Sequence, residues 1–167
     1  ISVTGYSALT SCVQAITLDL EARSNIMWCA TWALNGVIGL GKDQDWQLHD
    51  LGQSISAFTG AAHGMTLSAL SMAYYRHVMP AGLHRFARFA TNVWDIPRDG
   101  RSDEELAQAG MAELEAWMRE IGCVMNITEL GVTEDMLEDI AAVTPLEQSG
   151  YHPFATEEFV EVLRESL

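Results

Sequence analysis

Residues 46–64 read Trp46-Gln47-Leu48-His49-Asp50-Leu51-Gly52-Gln53-Ser54-Ile55-Ser56-Ala57-Phe58-Thr59-Gly60-Ala61-Ala62-His63-Gly64. The stretch holds two of the chain's five histidines, fourteen residues apart, with a glycine-bearing turn between them. On one unbroken helix that spacing would separate them by about 21 Å, too far to share a ligand. A helix that carries His49, ends near Gly60 and doubles back instead brings His63 to face His49. Two imidazoles at neighbouring helix ends can supply half of a metal site. Taken singly, each histidine reads as a helix-surface or core-satisfied imidazole, so the pair has to be weighed against the rest of the chain.

Working outward, the flanking segments all read as helices. Residues 1–18 place Val3, Tyr6, Leu9, Val13 and Ile16 at mostly helical spacing. Asp19 is a cap for a segment from Leu20 to about Leu40, apolar nearly all round and therefore expected to be central and buried. Trp28 and Trp32, four apart, are expected on one face of it, and Gly36, Gly39 and Gly41 break it. The His49 helix is expected from Asp43 or Gln44 to Phe58. The next runs from His63 or Gly64 to His77, ended by Pro80. Leu83 to Trp94 is amphipathic, with Phe86, Phe89, Ala90 and Val93 inward and His84, Arg85 and Arg88 outward.

Ser102-Asp103-Glu104-Glu105 is a capping box that starts a helix to Ile121. A short acidic helix runs from Thr133 to Val143, residues 144–154 form a loop, and Thr156 caps a last helix. Hairpin dipeptides and sustained alternation are missing. The reading is an all-α domain, a bundle of about seven to eight helices over residues 1–167.

Composition limits the function classes. A 167-residue chain that is 49% apolar and 19% charged is globular rather than disordered. A net charge of -14 argues against nucleic acid and anionic membranes as partners. Cys12, Cys29 and Cys123 are widely spaced and form no CxxC pair, which suits a reducing, cytoplasmic compartment. A GxGxxG loop after a strand, a Walker-type loop, a GxSxG elbow and a HExxH pair are all lacking. Asp43, Asp45 and Asp50 are candidate ligands or ligand supports near the pair, though helix capping is the favoured reading for them. His77, His84 and His152 read as solvated tips. The chain opens on Ile1 inside an apolar stretch, and reads as the middle of something longer.

The residues around the two histidines resemble the C-terminal helical domain of the iron-containing (group III) alcohol dehydrogenases, a dehydroquinate synthase-like fold. Two metal-binding histidines of that family stand fourteen apart, the second followed by Gly, as do His49 and His63-Gly64. The likeness extends to Glu21-Ala22-Arg23-Ser24-Asn25-Ile26-Met27-Trp28, Ala33-Leu34-Asn35-Gly36, Leu67 to Pro80, Phe86 to Trp94, and Phe154-Ala155-Thr156-Glu157-Glu158-Phe159. These are similar to the NADPH-dependent butanol dehydrogenase and aldehyde reductase branch, and the resemblance covers nearly the whole chain.

The resemblance implies an oxidoreductase that interconverts alcohols and aldehydes with NAD(P), using one Fe2+ or Zn2+ as a Lewis acid. It implies His49 and His63 as metal ligands, with an Asp and another His, four apart, as the other two. Nothing upstream of His49 supplies that second pair, since the first 48 residues contain no histidine. The missing ligands and an N-terminal dinucleotide-binding domain are therefore expected before Ile1, and the chain by itself is expected to bind metal weakly and catalyse nothing. Many family members carry a further His near the nicotinamide; here that position is Gln53, which does not titrate near neutral pH. Trp32, Trp46 and Phe58 are candidate pocket residues, and a homodimer is a further expectation. The competing reading is a free-standing helical interaction domain without metal or catalysis.

Overall fold

The computed structural model describes residues 19–167; the helix expected over residues 1–18, and Cys12 within it, lie outside the described residues. Seven α-helices follow: α1 (Leu20–Leu34), α2 (Gln47–Thr59), α3 (His63–Val78), α4 (Leu83–Val93), α5 (Asp103–Glu120), α6 (Leu137–Val143) and α7 (Thr156–Glu165). Short 3₁₀ turns stand at Val37–Gly39, Thr128–Leu130 and Glu134–Met136, and the described residues contain no strand. The all-α expectation holds.

The described chain divides into two compact units, one of residues 19–42 with Leu83–Trp117, the other of Asp43–Gly82 with Met118–Leu167. In the first, Ala87, Ala90 and Leu106 are buried together with Ile96 against them. The helices there meet through small residues. A Cβ built on Gly110 would lie 2.7 Å from the Ala90 Cβ and 2.9 Å from its Cα, so only glycine permits that approach. The Ser102 capping box forms as read: Ser102 N–H and hydroxyl donate to Glu105 Oε2, and Glu105 N–H donates to Ser102 Oγ.

Two expectations for α1 fail. The helix stops at Leu34, where Asn35 and left-handed Gly36 end it, and Val37–Gly39 continues only as a 3₁₀ turn. Nor is it central: Ala22 is its one buried residue, while Met27, Trp28 and Leu34 are exposed. An apolar circumference shows that a helix needs cover, not that the cover belongs to the same unit. Trp28 and Trp32 do share a face, meeting edge-to-face at 5.8 Å.

In the second unit α2 packs on α3, α6 on both α2 and α7, and α3 on α7. Leu51, Ile55, Leu70, Leu137, Ile140, Phe159 and Leu163 are fully buried, which places one apolar stripe of each of the four helices in a common core. Thr156 is the first residue of α7 rather than its cap; Glu158 reaches back to the Ala155 N–H in that role.

Candidate metal half-site

The turn between α2 and α3 follows from three residues. Gly60 adopts φ 73°, the left-handed helix-ending conformation, and donates to Ser56 O. Thr59 Oγ1 donates to Ile55 O and accepts the Ala61 N–H. Extended Ala62 then accepts from Met65 and Thr66, and α3 begins at His63. The chain therefore reverses within three residues and sets the first residue of α3 beside the first turn of α2.

This reversal brings His49 and His63 together. His49 Nδ1 and His63 Nε2 are 3.2 Å apart, with ring centroids 4.5 Å apart and planes nearly perpendicular. Gly52, one turn along α2 from His49, makes the approach possible. A Cβ there would stand 2.9 Å from Leu67 Cδ2, 3.1 Å from Thr66 Oγ1 and 3.5 Å from His63 Cε1. Trp46 closes one side, its ring edge-on to His49 at 5.1 Å. Gln53 closes another, its Nε2 2.7 Å from His49 Nε2.

The electrostatics favour a neutral His63 ring. Burial, and then the neighbouring His49 imidazole, hold His63 below its ordinary value, and a neutral imidazole is the form that ligates metal. His63 Nδ1 is buried without a hydrogen-bond partner. The spacing suits a cation as well as a hydrogen bond: two nitrogens roughly 2.0–2.1 Å from one tetrahedral metal stand about 3.3–3.4 Å apart. The donors present fit two of four positions. Among the described residues no group of three or more His, Cys, Asp or Glu side chains is placed to hold a metal, so Asp43, Asp45 and Asp50 do not complete the set.

The other candidates have different roles. Asp45 Oδ1 accepts the Gln47 N–H and the Tyr74 hydroxyl, 2.7 Å away. His77 pairs with Glu165 and His152 with Glu158, so neither is a free solvated tip. Phe58 is exposed near the end of α2, and Trp46 stands edge-on to His49. Trp32 stands on α1 in the first unit.

Sequence reasoning missed Gln47, which is fully buried. Its Nε2 donates to Tyr74 Oη and His152 O, and its Oε1 accepts the Phe154 N–H at 2.6 Å. The signal was present: Gln47 precedes Leu51 by four and Ser54 and Ile55 by seven and eight, on the buried face of α2.

Comparison with known proteins agrees with this architecture. The family model described as "Fe-containing alcohol dehydrogenase family, C-terminal" matches residues 8–167. NADH-dependent butanol dehydrogenase A of Clostridium acetobutylicum is 28% identical over 155 residues, covering 90% of this chain and 40% of that protein. NADPH-dependent aldehyde reductase YqhD of Escherichia coli is 31% identical over 132 residues, 79% of this chain and 33% of its own length. The chain thus spans about 40% or less of the curated relatives cited here. The substrate- and cofactor-free crystal structure of YqhD superposes with a TM-score of 0.87 at 22% identity, covering 98% of this chain and 44% of that one. Butanol dehydrogenase A of Thermotoga maritima gives 0.80 at 24% identity, with 95% and 44% covered, and both likenesses establish the fold. With the match extending over nearly the whole sequence and the fold in agreement, the chain belongs to the iron-containing alcohol dehydrogenase family, as its C-terminal domain.

Proposed function

We propose that this chain is the single metal-binding C-terminal domain of a cytoplasmic NAD(P)-linked alcohol dehydrogenase or aldehyde reductase, with His49 and His63 as two ligands of an Fe2+ or Zn2+ ion. The observation that carries the reading is the 3.2 Å approach of His49 Nδ1 to His63 Nε2 across the α2–α3 turn. An Asp and a His from a preceding dinucleotide-binding domain complete the set, and the active site opens between the two domains. The names of the curated relatives, butanol dehydrogenases and an aldehyde reductase, support the substrate class of small alcohols and aldehydes. Lewis-acid polarisation of the alcohol or aldehyde oxygen is the chemistry such a metal supplies when bound.

The residues of this chain have narrower tasks. Gly60 and Gly52 hold the two imidazoles in register. Burial, and then His49, hold His63 below its ordinary value, which favours the neutral ring that ligates. Trp46 forms an apolar wall beside the metal position. Gln53 does not accept a proton as a histidine there would, so proton delivery in the intact protein uses a hydroxyl, water or another group. The exposed apolar side chains of α1 are a surface for the preceding domain or a second subunit.

The test is turnover of small aldehydes by the full-length protein with NADH or NADPH, before and after chelation. Activity that disappears with the metal and returns with Fe2+ or Zn2+ is expected. A protein that carries neither metal nor reductase activity would instead be the helical interaction domain.

A further inference from the structure

Resting on the reading of small aldehydes as substrates, we propose that Trp46 sets which aldehydes the site accepts, and that residues 149–154 position it. Trp46 occupies the N-cap of α2 and makes no side-chain cap bond. Ser, Thr, Asp and Asn are preferred there because their side chains accept the first free N–H groups, whereas an indole only donates. Trp46 is 38% exposed and stands edge-on to His49, three residues along, at 5.1 Å. A large aromatic that breaks the local rule and keeps an open face beside the histidine pair marks a functional position.

The capping work falls to other residues. Asp45 Oδ1 accepts the Gln47 N–H, and residues 149–154 press on this start of α2 from outside. Ser149 Oγ donates to the Gln44 carbonyl, 105 residues back in sequence, at 2.6 Å. Gly150, at φ 94°, lies against the Asp45 carboxylate, where a Cβ would stand 2.7 Å from Oδ2 and 2.8 Å from Cγ. Gln47 holds the far end of the strap between the His152 carbonyl and the Phe154 N–H, two backbone groups that leave its buried amide one orientation. The strap is itself backed by the α3–α4 turn: the Tyr151 ring lies on Gly82, where a Cβ would meet Cδ2 at 3.2 Å. The backbone is thus pinned on both sides of Trp46, at Gln44 and Asp45 before it and Gln47 after it. A fixed apolar wall discriminates by size, and one methylene that fits or does not is worth about 10–200-fold in kcat/KM.

The experiment measures kcat/KM of the full-length protein for straight-chain aldehydes from propanal to octanal, in wild type, Trp46→Ala, Gly150→Ala, Ser149→Ala and the two double variants with Trp46→Ala. Trp46→Ala is expected to raise the octanal-to-propanal ratio about 10-fold. Gly150→Ala and Ser149→Ala are expected to raise it less, and to add nothing in the Trp46→Ala background. Gly131→Ala is the control: Gly131 has φ 87° and nothing within 4 Å of its added Cβ, so it carries similar backbone strain without the contact, and its ratio stays at wild type. Ser149→Ala removes one hydroxyl only, and carries the test if Gly150→Ala melts early. In 1H–15N spectra of the 167-residue chain, the Trp46 indole N–H is expected to shift in Gly150→Ala and Ser149→Ala and to stay in place in Gly131→Ala. An unchanged ratio in Trp46→Ala overturns the wall. Unchanged ratios in both strap variants, or changes that add fully to Trp46→Ala, overturn the positioning role and leave the reductase reading intact. A wild-type protein that turns over no aldehyde contradicts the reductase reading instead, while the indole spectra still decide whether residues 149–154 position Trp46.

Discussion

Gln47 Oε1 accepts the backbone N–H of Phe154 at 2.6 Å, which ties the first turn of α2 to the segment before α7. The same side chain reaches His152 O and Tyr74 Oη, and Tyr74 donates to Asp45. A buried polar centre thus holds together the elements that carry the histidine pair. Gln47→Leu leaves the Phe154 N–H and the His152 carbonyl without this partner, at roughly 1–3 kcal/mol for each buried group unmet. A drop of at least about 2 kcal/mol in urea unfolding is expected, and an unchanged midpoint contradicts this role.

Close helix approach in the other unit makes a second prediction. At Gly110 the obstructing atoms are Ala90 Cβ, Cα and N, which belong to backbone or lie next to it and cannot swing aside. Gly110→Ala should destabilise by about 1–3 kcal/mol through overpacking, against the usual helix-favouring gain of Ala over Gly. Calorimetry of the variant reads it directly; a raised melting temperature would show that α4 and α5 have room.

Gly52 gives a third, aimed at the site. Gly52→Val adds volume where Leu67, Thr66 and His63 crowd the α2 surface. It is expected to separate the two imidazoles while leaving the fold intact, at a cost of about 1–3 kcal/mol. A crystal structure of the variant in which His49 Nδ1 and His63 Nε2 keep their wild-type approach would refute the spacing role of Gly52.

Acid stability follows from three carboxylates. Burial pushes Glu158 up, but the Ala155 N–H, His152 and His77 outweigh it and hold the carboxyl below its ordinary 4.5. Ser102 does the same for Glu105, and the Thr133 hydroxyl for Asp135. A carboxyl depressed on folding contributes stability that is complete above its unfolded value and is lost as pH falls through the folded one. Melting temperature should therefore decline below about pH 4.5, and Glu158→Gln should flatten part of that decline. An identical acid limb in the variant would contradict the assignment.

Helix positions and the α2–α3 reversal were legible because periodicity, Gly60 and the Ser102 capping box are local signals. The His49–His63 pairing was legible for the same reason: a turn of known type between two helices determines which residues meet. The exposure of α1 was not, because an apolar surface records that cover is needed and not which element supplies it. Gln47 was overlooked because a glutamine at a helix start reads as solvated unless its place on the apolar stripe is counted. Gly52 drew no notice because a single glycine in a helix reveals close approach only once the neighbouring helix is placed. Packing of α3 on α7 brings Glu165 to His77, whereas His152 meets Glu158 only because the loop before α7 folds back on its first turn.

The most direct measurement is metal content per chain, by inductively coupled plasma mass spectrometry, of the full-length protein and its His49→Ala, His63→Ala and His77→Ala variants. The account predicts one Fe2+ or Zn2+ in wild type and His77→Ala, and its loss in His49→Ala and His63→Ala, with helical content unchanged in all four. Full metal occupancy in either His49→Ala or His63→Ala would contradict it.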